Sequence, residues 1–347
     1  MQRFVELPLG AQTAYAELLD QAQSLEMQRQ IGHLTGSFHK KEIKGRVYWY
    51  FAYRDVDAKH HMVYVGPDND RVRTLVDRFR QDKPASLDRQ AKAAMALGCV
   101  AVMPRHYRII RQLADYGFFM AGGLLIGTHA FIALGNLLGV RWGAGEKTLD
   151  IDFAHAGKKI SLALPTDLRV DVHEAITSLE MGLLPISQFN GKTGAQFRNP
   201  TDPELRLDFV TPMTRADGLP PHMPNLNISL EPLKFLEFSL EDVTQGALIG
   251  KDGAIMVNLP SPARYAVHKL IVYGERPVRE RVKSTKDLQQ AACLAAYFLA
   301  HQPADFAAAW ADAIGRGAGW RRRATEGREA LLKLAPELNA IELWGAM

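Results

Sequence analysis

Two aspartates two residues apart, Asp150 and Asp152 in 148-TLDIDFAH-155, have the types and spacing to do chemistry. Leu149, Ile151 and Phe153 alternate with them, so the period is two. That is the period of a strand with both carboxylates on one face and apolar side chains on the other. Like charges held a few ångströms apart raise each other's pKa unless a cation or a donor offsets them. The plainer reading is a half-exposed edge strand with an acidic outer face. Two further features stand beside the pair. In 126-IGTHAF-131 a strand end runs into a helix through Gly127 and Thr128. The glycine lets backbone N–H groups approach an anion, the hydroxyl adds a donor, and the helix N-terminus adds its positive dipole end. Asp208 stands alone on the polar face of 205-LRLDFV-210. Three carboxylates converging beside a phosphate cradle suit two Mg²⁺ (or Mn²⁺) ions, which stabilise the attacking and leaving oxygens of phosphoryl transfer.

The elements that must position these residues follow from periodicity and turn signals. A helix is expected at 9–31, then three short antiparallel strands within 36–70, with turns at Lys44-Gly45 and 55–58. Helices follow at 69–81, 86–98 (capped by Ser86) and 104–115, with a joint at Lys83-Pro84. The centre alternates: a continuous strand at 117–126, a helix at 128–138, the D-x-D strand, a strand at 160–163, a helix at 171–182 and a strand at 205–212. Strands near 233–239 and 254–258 lead to Pro260-Ser261-Pro262, and almost everything after that reads as helix. Residues 117–140 are apolar and long enough to span a bilayer. Their six glycines and the polar Thr128, His129 and Asn136 favour a buried strand, turn and helix instead.

The order of strand, Gly-Thr turn, helix, D-x-D strand and later single-Asp strand resembles the DNA polymerase β-type nucleotidyltransferase superfamily. More closely, IGTHAF, TLDIDFAH, LRLDFV and 260-PSPARYAVHKL-270 resemble a family of bacterial nucleotidyltransferase-fold proteins, over about residues 115 to 300. The resemblance implies that Gly127 and Thr128 contact a triphosphate and that Asp150 and Asp152 bind metal. Asp208 would hold the catalytic metal and help to deprotonate the attacking hydroxyl. Lys269 would face the triphosphate, against the plainer reading of a solvated helix lysine, and the pair Lys286-Asp287 would be structural. Read from the residues alone, His268 is a structural histidine, and His129 packs or else touches phosphate or metal. The turn in that superfamily is often Gly-Gly or Gly-Ser, so Gly122-Gly123 is a rival cradle. Gly127-Thr128 is preferred because 118–126 reads as one strand and a glycine inside a helix is unfavourable. The segment 141-RWGAGEK-147 is long enough to close over a nucleotide.

The expected fold class is α+β. A nucleotidyltransferase-like mixed sheet (115–262) is preceded by helices with a small β unit (1–114) and followed by a helical region (263–347). The 347 residues, 47% hydrophobic with a formal charge of +4, fit two or three globular domains with a mild basic bias. Cys99 and Cys293 fit no metal or disulfide spacing, and the N-terminus lacks a signal-peptide core, so a cytoplasmic setting is expected. No dinucleotide fingerprint, P-loop, Ser-His-Asp order or zinc spacing is present.

The expected function is transfer of an NMP from an NTP to a hydroxyl of RNA, protein or a small molecule. The alternative is a catalytically silent nucleotide- or nucleic-acid-binding module, and a third reading is a DNA-binding protein led by the β unit. In that unit Lys40, Lys41, Lys44, Arg46 and Arg54 surround Tyr48, Trp49, Tyr50 and Tyr53. This mixture suits tRNA or DNA, although alternate aromatics must also form the core side of the sheet. Residues 36–66 and the basic faces near Arg279 and Arg321 are expected to hold a polyanionic acceptor, while the centre holds the NTP.

Overall fold

The protein is described from a computed structural model over residues 2–32, 36–54, 60–81, 87–146, 148–156, 169–186, 194–213, 220–276 and 281–345. β1 (Phe4–Glu6) and α1 (Leu9–Gly32) lead into an antiparallel sheet of β2 (Gly36–Ile43), β3 (Arg46–Arg54) and β4 (His60–Pro67). Helices α2 (Asp70–Gln81), α3 (Asp88–Leu97) and α4 (Pro104–Asp115) follow. The centre begins with β5 (Gly123–Ile126), α5 (Gly127–Leu137), β6 (Val140–Trp142), β7 (Asp150–His155) and α6 (Val172–Thr177). It continues through β8 (Leu184–Pro185), β9 (Gln196–Asn199), β10 (Asp202–Pro212), β11 (His222–Met223), β12 (Ile228–Ser229), β13 (Glu231–Leu233) and α7 (Leu236–Leu240). The hairpin β14 (Val243–Gly250) and β15 (Gly253–Pro260) closes it. The tail is α8 (Pro262–Glu275), α9 (Arg281–His301), α10 (Pro303–Gly315), α11 (Ala318–Leu334) and α12 (Ile341–Trp344). The fold is mixed α+β, with a small antiparallel sheet before it and helices after it.

The central sheet has the order β5-β7-β10-β9-β8, with β13 paired to β10. β7 and β10 run parallel in the register Asp150 to Arg206 and Asp152 to Asp208. Strand alternation then decides the two faces. Ile151, Phe153, Leu207 and Phe209 enter the main core, where Phe153 stacks on Phe209 at 5.0 Å and Phe118 meets both rings edge-on. The opposite face carries Asp150, Asp152, Arg206 and Asp208, then turns apolar at Ala154 and Val210, which pack against Leu236 and Leu240 of α7. The acids therefore occupy the uncovered end of a face that is otherwise closed.

Several expectations need correction. Residues 117–122 are successive turns rather than a strand, and β5 begins only at Gly123. Asn258 on β15 donates to the carbonyls of Phe119 and Gly123 and pins this turn. A Cβ at Gly123 would fall 2.2 Å from the Phe118 ring, so the Gly122-Gly123 pair serves close packing. The helix expected at 171–182 stops at Thr177. The strand expected at 233–239 is instead the end of β13 followed by α7. The segment 141–147 begins in β6, which pairs antiparallel with β1. The strand at 160–163, the Lys83-Pro84 joint, the Ser86 cap, the turn at 55–58 and Arg279 lie outside the described residues.

The apolar segment 117–140 folds as turns, β5 and the buried α5, and no described helix is long and apolar enough to cross a membrane. Cys99 and Cys293 are free and buried.

Candidate active site

The geometry at the end of β5 is set by Gly127. Its φ is +63°, and a Cβ built on it would stand 2.0 Å from Asp152 Oδ2. Only glycine lets the chain turn from β5 into α5 this close to the carboxylate. Asp150, Asp152 and Asp208 each offer an oxygen, and these oxygens lie within 4.8 Å of one another. The D-x-D spacing and the parallel register of β10 produce that convergence directly.

The acids differ in their surroundings. Asp150 accepts from the Thr148 hydroxyl and from Arg206 Nη2 at 3.1 Å, while Lys286 Nζ donates to Thr148 Oγ1 at 3.3 Å. Burial alone would raise its pKa, but Thr148, Lys286 and Arg206 outweigh burial and hold it below the usual carboxylate value. Asp152 has no such share of donors. Burial first, then the carboxylates of Asp150 and Asp208, push it up to about 6. Arg206 Nε also lies 3.0 Å from Asp208 Oδ2, so one guanidinium spans two of the three acids.

These residues fit a divalent cation. All three ligands are carboxylate oxygens, as hard cations require, and the charge they concentrate is partly answered by a guanidinium set among them.

Sequence reasoning named the three acids and Gly127, and the fold brings them together. Thr128 is adjacent but 3% exposed, and its hydroxyl accepts from Gln290 Nε2 at 3.3 Å. Gln290 also donates to Gly145 O at 2.8 Å, and the Tyr265 hydroxyl donates to Gly127 O at 2.8 Å. The turn is thus tied to α8, to α9 and to the segment after β6.

Lys269 is no solvated helix lysine. Its ammonium binds Asp287 Oδ1 at 2.8 Å over the Tyr265 ring, and Arg276 holds the other oxygen of Asp287 at 3.1 Å. Burial would lower its pKa, but Asp287 more than reverses that and raises it. His268, next to Lys269, is half-buried. Burial first, then the charge of Lys269, lowers its pKa to about 3, so it is neutral at pH 7. His129 is buried, with Nε2 2.9 Å from His106 Nδ1.

Sequence reasoning missed Arg206, Thr148, Tyr265, Gln290 and His106, and it gave Lys286 no part in the site. Signals for two of these existed: Arg206 is two residues before Asp208 on one strand face, and Gln290 is one turn after Lys286 on one helix face.

Beside Asp150 opens a cavity of about 780 Å³, walled by Val100, Val102 and Ile132 on one side and by Asp150, Arg206 and Lys286 on another. Asn136 on α5 holds that apolar wall in place by exchanging hydrogen bonds with both the N–H and the carbonyl of Val100. A second cavity, about 680 Å³, shares Glu146 and Lys286 with the first and is lined by Gly143–Gly145 and Gln289.

A family model described as nucleotidyltransferase matches residues 105–315, well over half of the chain. The chain belongs to the nucleotidyltransferase family. The matched span holds every residue of the acidic cluster, the Gly127 turn and α8. Among solved structures, the chain is similar to an antigenic nucleotidyltransferase-like protein from Paracoccidioides brasiliensis. The likeness is at 14% identity and a TM-score of 0.33, covering 69% of this chain and 94% of that one. No curated protein matches it.

Proposed function

We propose that the protein is a Mg²⁺- or Mn²⁺-dependent nucleotidyltransferase of the DNA polymerase β type, moving an NMP from an NTP to an acceptor hydroxyl in the cytoplasm. The observation that carries this reading is the convergence of three carboxylate oxygens within 4.8 Å beside the Gly127 turn. Bound divalent ions would supply charge neutralisation and Lewis-acid polarisation. Asp150, Asp152 and Asp208 hold them. The backbone at Gly127-Thr128 and the ammonium of Lys269 receive the triphosphate. The acceptor oxygen forms a bond to the α-phosphorus as the bond to the pyrophosphate oxygen breaks. Asp208 takes the proton from the acceptor hydroxyl. Such chemistry needs positioning and charge more than covalent help from the protein. The cavity walled by Val100 and Ile132 takes an apolar or planar part of one substrate, close to Asp150.

The chain divides its labour among 1–114, 115–262 and 263–347, and the middle part holds the acids. The test is pyrophosphate release from an NTP pool with Mg²⁺ or Mn²⁺ in the presence of total RNA, total protein or small metabolites. Turnover should depend on metal and should vanish in Asp152→Asn. If wild type releases no pyrophosphate but binds NTP, the silent binding module takes the place of the enzyme.

A further inference from the structure

The three-stranded sheet of β2, β3 and β4 carries aromatic side chains on both faces. On one, Phe38 meets Trp49 and Phe51, and Trp49 is 4% exposed with its indole N–H donating to Asp68 Oδ1 at 2.8 Å. Gly66, opposite Trp49, abuts Val72 of α2, so this is the packed face. Lys40 lies here, 4.8 Å over the Trp49 ring and ion-paired with Asp68 at 3.2 Å. Its charge is thus answered by Asp68 on this face.

The other face is different. Tyr48 and Tyr50 alternate with Trp49 on β3, and Tyr64 of β4 pairs with Tyr50 across the ladder. Tyr64 meets Tyr50 at 5.6 Å and Tyr48 at 6.0 Å between ring centroids, and it is 54% exposed. Lys41 stands 5.2 Å over the Tyr50 ring. Lys41 and, at the β2–β3 turn, Lys44 and Arg46 are exposed and in no ion pair among the described residues.

We propose that the Tyr48–Tyr50–Tyr64 face, edged by Lys41, Lys44 and Arg46, is a stacking surface for single-stranded nucleic acid. Three rings on adjoining strands, inclined at 67° and 54° to one another, give aromatic area that takes bases one ring at a time. The unpaired cations at one end suit phosphates and disfavour a second copy of the same face, which would bring like charges together. Bases in a duplex rise about 3.4 Å per step along each strand. Neighbouring rings here are 5.6 and 6.0 Å apart and inclined at 67° and 54°, so the parallel bases of an intact stack cannot meet them in turn. An unstacked strand can. The proposal stands apart from the transferase reading, since binding needs neither metal nor NTP.

The test uses the full chain without NTP or metal. Fluorescence anisotropy compares a labelled mixed-sequence single-stranded RNA of fifteen nucleotides with the same sequence as a duplex. The single strand should bind more tightly. Tyr64→Ala should weaken it about fivefold or more, as expected for loss of one base–aromatic stack, while Tyr64→Phe should keep wild-type affinity. Replacing Lys41, Lys44 and Arg46 by Ala should flatten the salt slope, by about 0.7 for each phosphate that is no longer neutralised. No binding to the single strand, equal binding to single strand and duplex, or wild-type affinity in Tyr64→Ala would each overturn the proposal and leave the face to a protein partner. Loss or retention of pyrophosphate release is a separate result.

Discussion

Arg206 is the residue with the clearest consequence for the proposed metal site. It sits two residues before Asp208 on β10 and opposite Asp150 on β7, so strand geometry alone puts a permanent cation among the proposed ligands. Its guanidinium reaches Asp150 at 3.1 Å and Asp208 at 3.0 Å. A divalent ion seated on the same oxygens competes with it for charge. Arg206→Leu should therefore tighten Mn²⁺ binding in calorimetry by about tenfold, the equivalent of roughly 1.4 kcal/mol. It should also lower the stability of the metal-free protein, because Asp150 and Asp208 lose their partner. Weaker Mn²⁺ binding in the variant would mean that Arg206 orients the acids and does not compete with metal. This residue was legible in principle. The alternation that marks Asp208 as facing Asp152 marks Arg206 as facing Asp150, but a cation beside three acids reads as background charge until the register is known.

At the scale of elements, α4 and α5 meet at the site through two histidines. His106 Nδ1 and His129 Nε2 are 2.9 Å apart, and both rings are buried. Burial first, and then Arg105 beside His106, pushes the His106 pKa down to about 4. Burial and the neighbouring His106 push His129 down to about 3. Asp150 and Asp202 pull His106 upward; for His129, Asp150 pulls upward while Lys286 adds to the depression. In the unfolded chain both histidines take protons near pH 6.5, whereas the folded protein stays neutral until about pH 4. Unfolding therefore takes up protons in that window, and stability falls as the pH drops from 6.5 towards 4. Replacing both by Gln should reduce the slope of unfolding free energy against pH, between pH 6 and 4.5, by about two protons, as read from urea melts. An unchanged slope would place the pair in contact with water. The elements themselves were unevenly legible. β7 and β10 alternate strictly, and a period of two admits one reading. The run 117–126 is apolar throughout, and such a run does not distinguish a buried turn from a strand. β14 went unread because Thr244, Gln245 and Gly246 break its apolar pattern, although its partner β15 was seen.

Across the whole molecule, the acids are held by elements drawn from the length of the matched family span. β5 supplies the Gly127 turn, β7 and β10 the carboxylates, and Tyr265 of α8 and Gln290 of α9 reach back to Gly127 and Thr128. The sequence order showed which segments carry chemistry but not that the C-terminal helices grip the turn, because contacts over more than a hundred residues leave no local period. The core around them is continuous, running from Val102 to Trp344. A rigid frame of this kind crowds three carboxylates at a cost to stability. Asp152 bears most of that cost, being pushed up to about 6 by burial and by its two neighbours. Near pH 7.5 it is ionised in both folded and unfolded chains, but only the folded chain confronts it with Asp150 and Asp208. Asp152→Asn removes that repulsion while keeping shape and volume. The metal-free variant should therefore be more stable than metal-free wild type by roughly 1–2 kcal/mol, as functional sites relieved of their strain commonly are. Adding Mg²⁺ should raise the melting temperature of wild type, since a ligand that binds only the folded state stabilises it by mass action. The variant should show little or no rise. Differential scanning fluorimetry with and without EDTA gives all four values. An apo variant no more stable than wild type would mean that the crowded carboxylates cost the fold nothing, whereas a variant that Mg²⁺ stabilises as much as wild type would separate Asp152 from the metal.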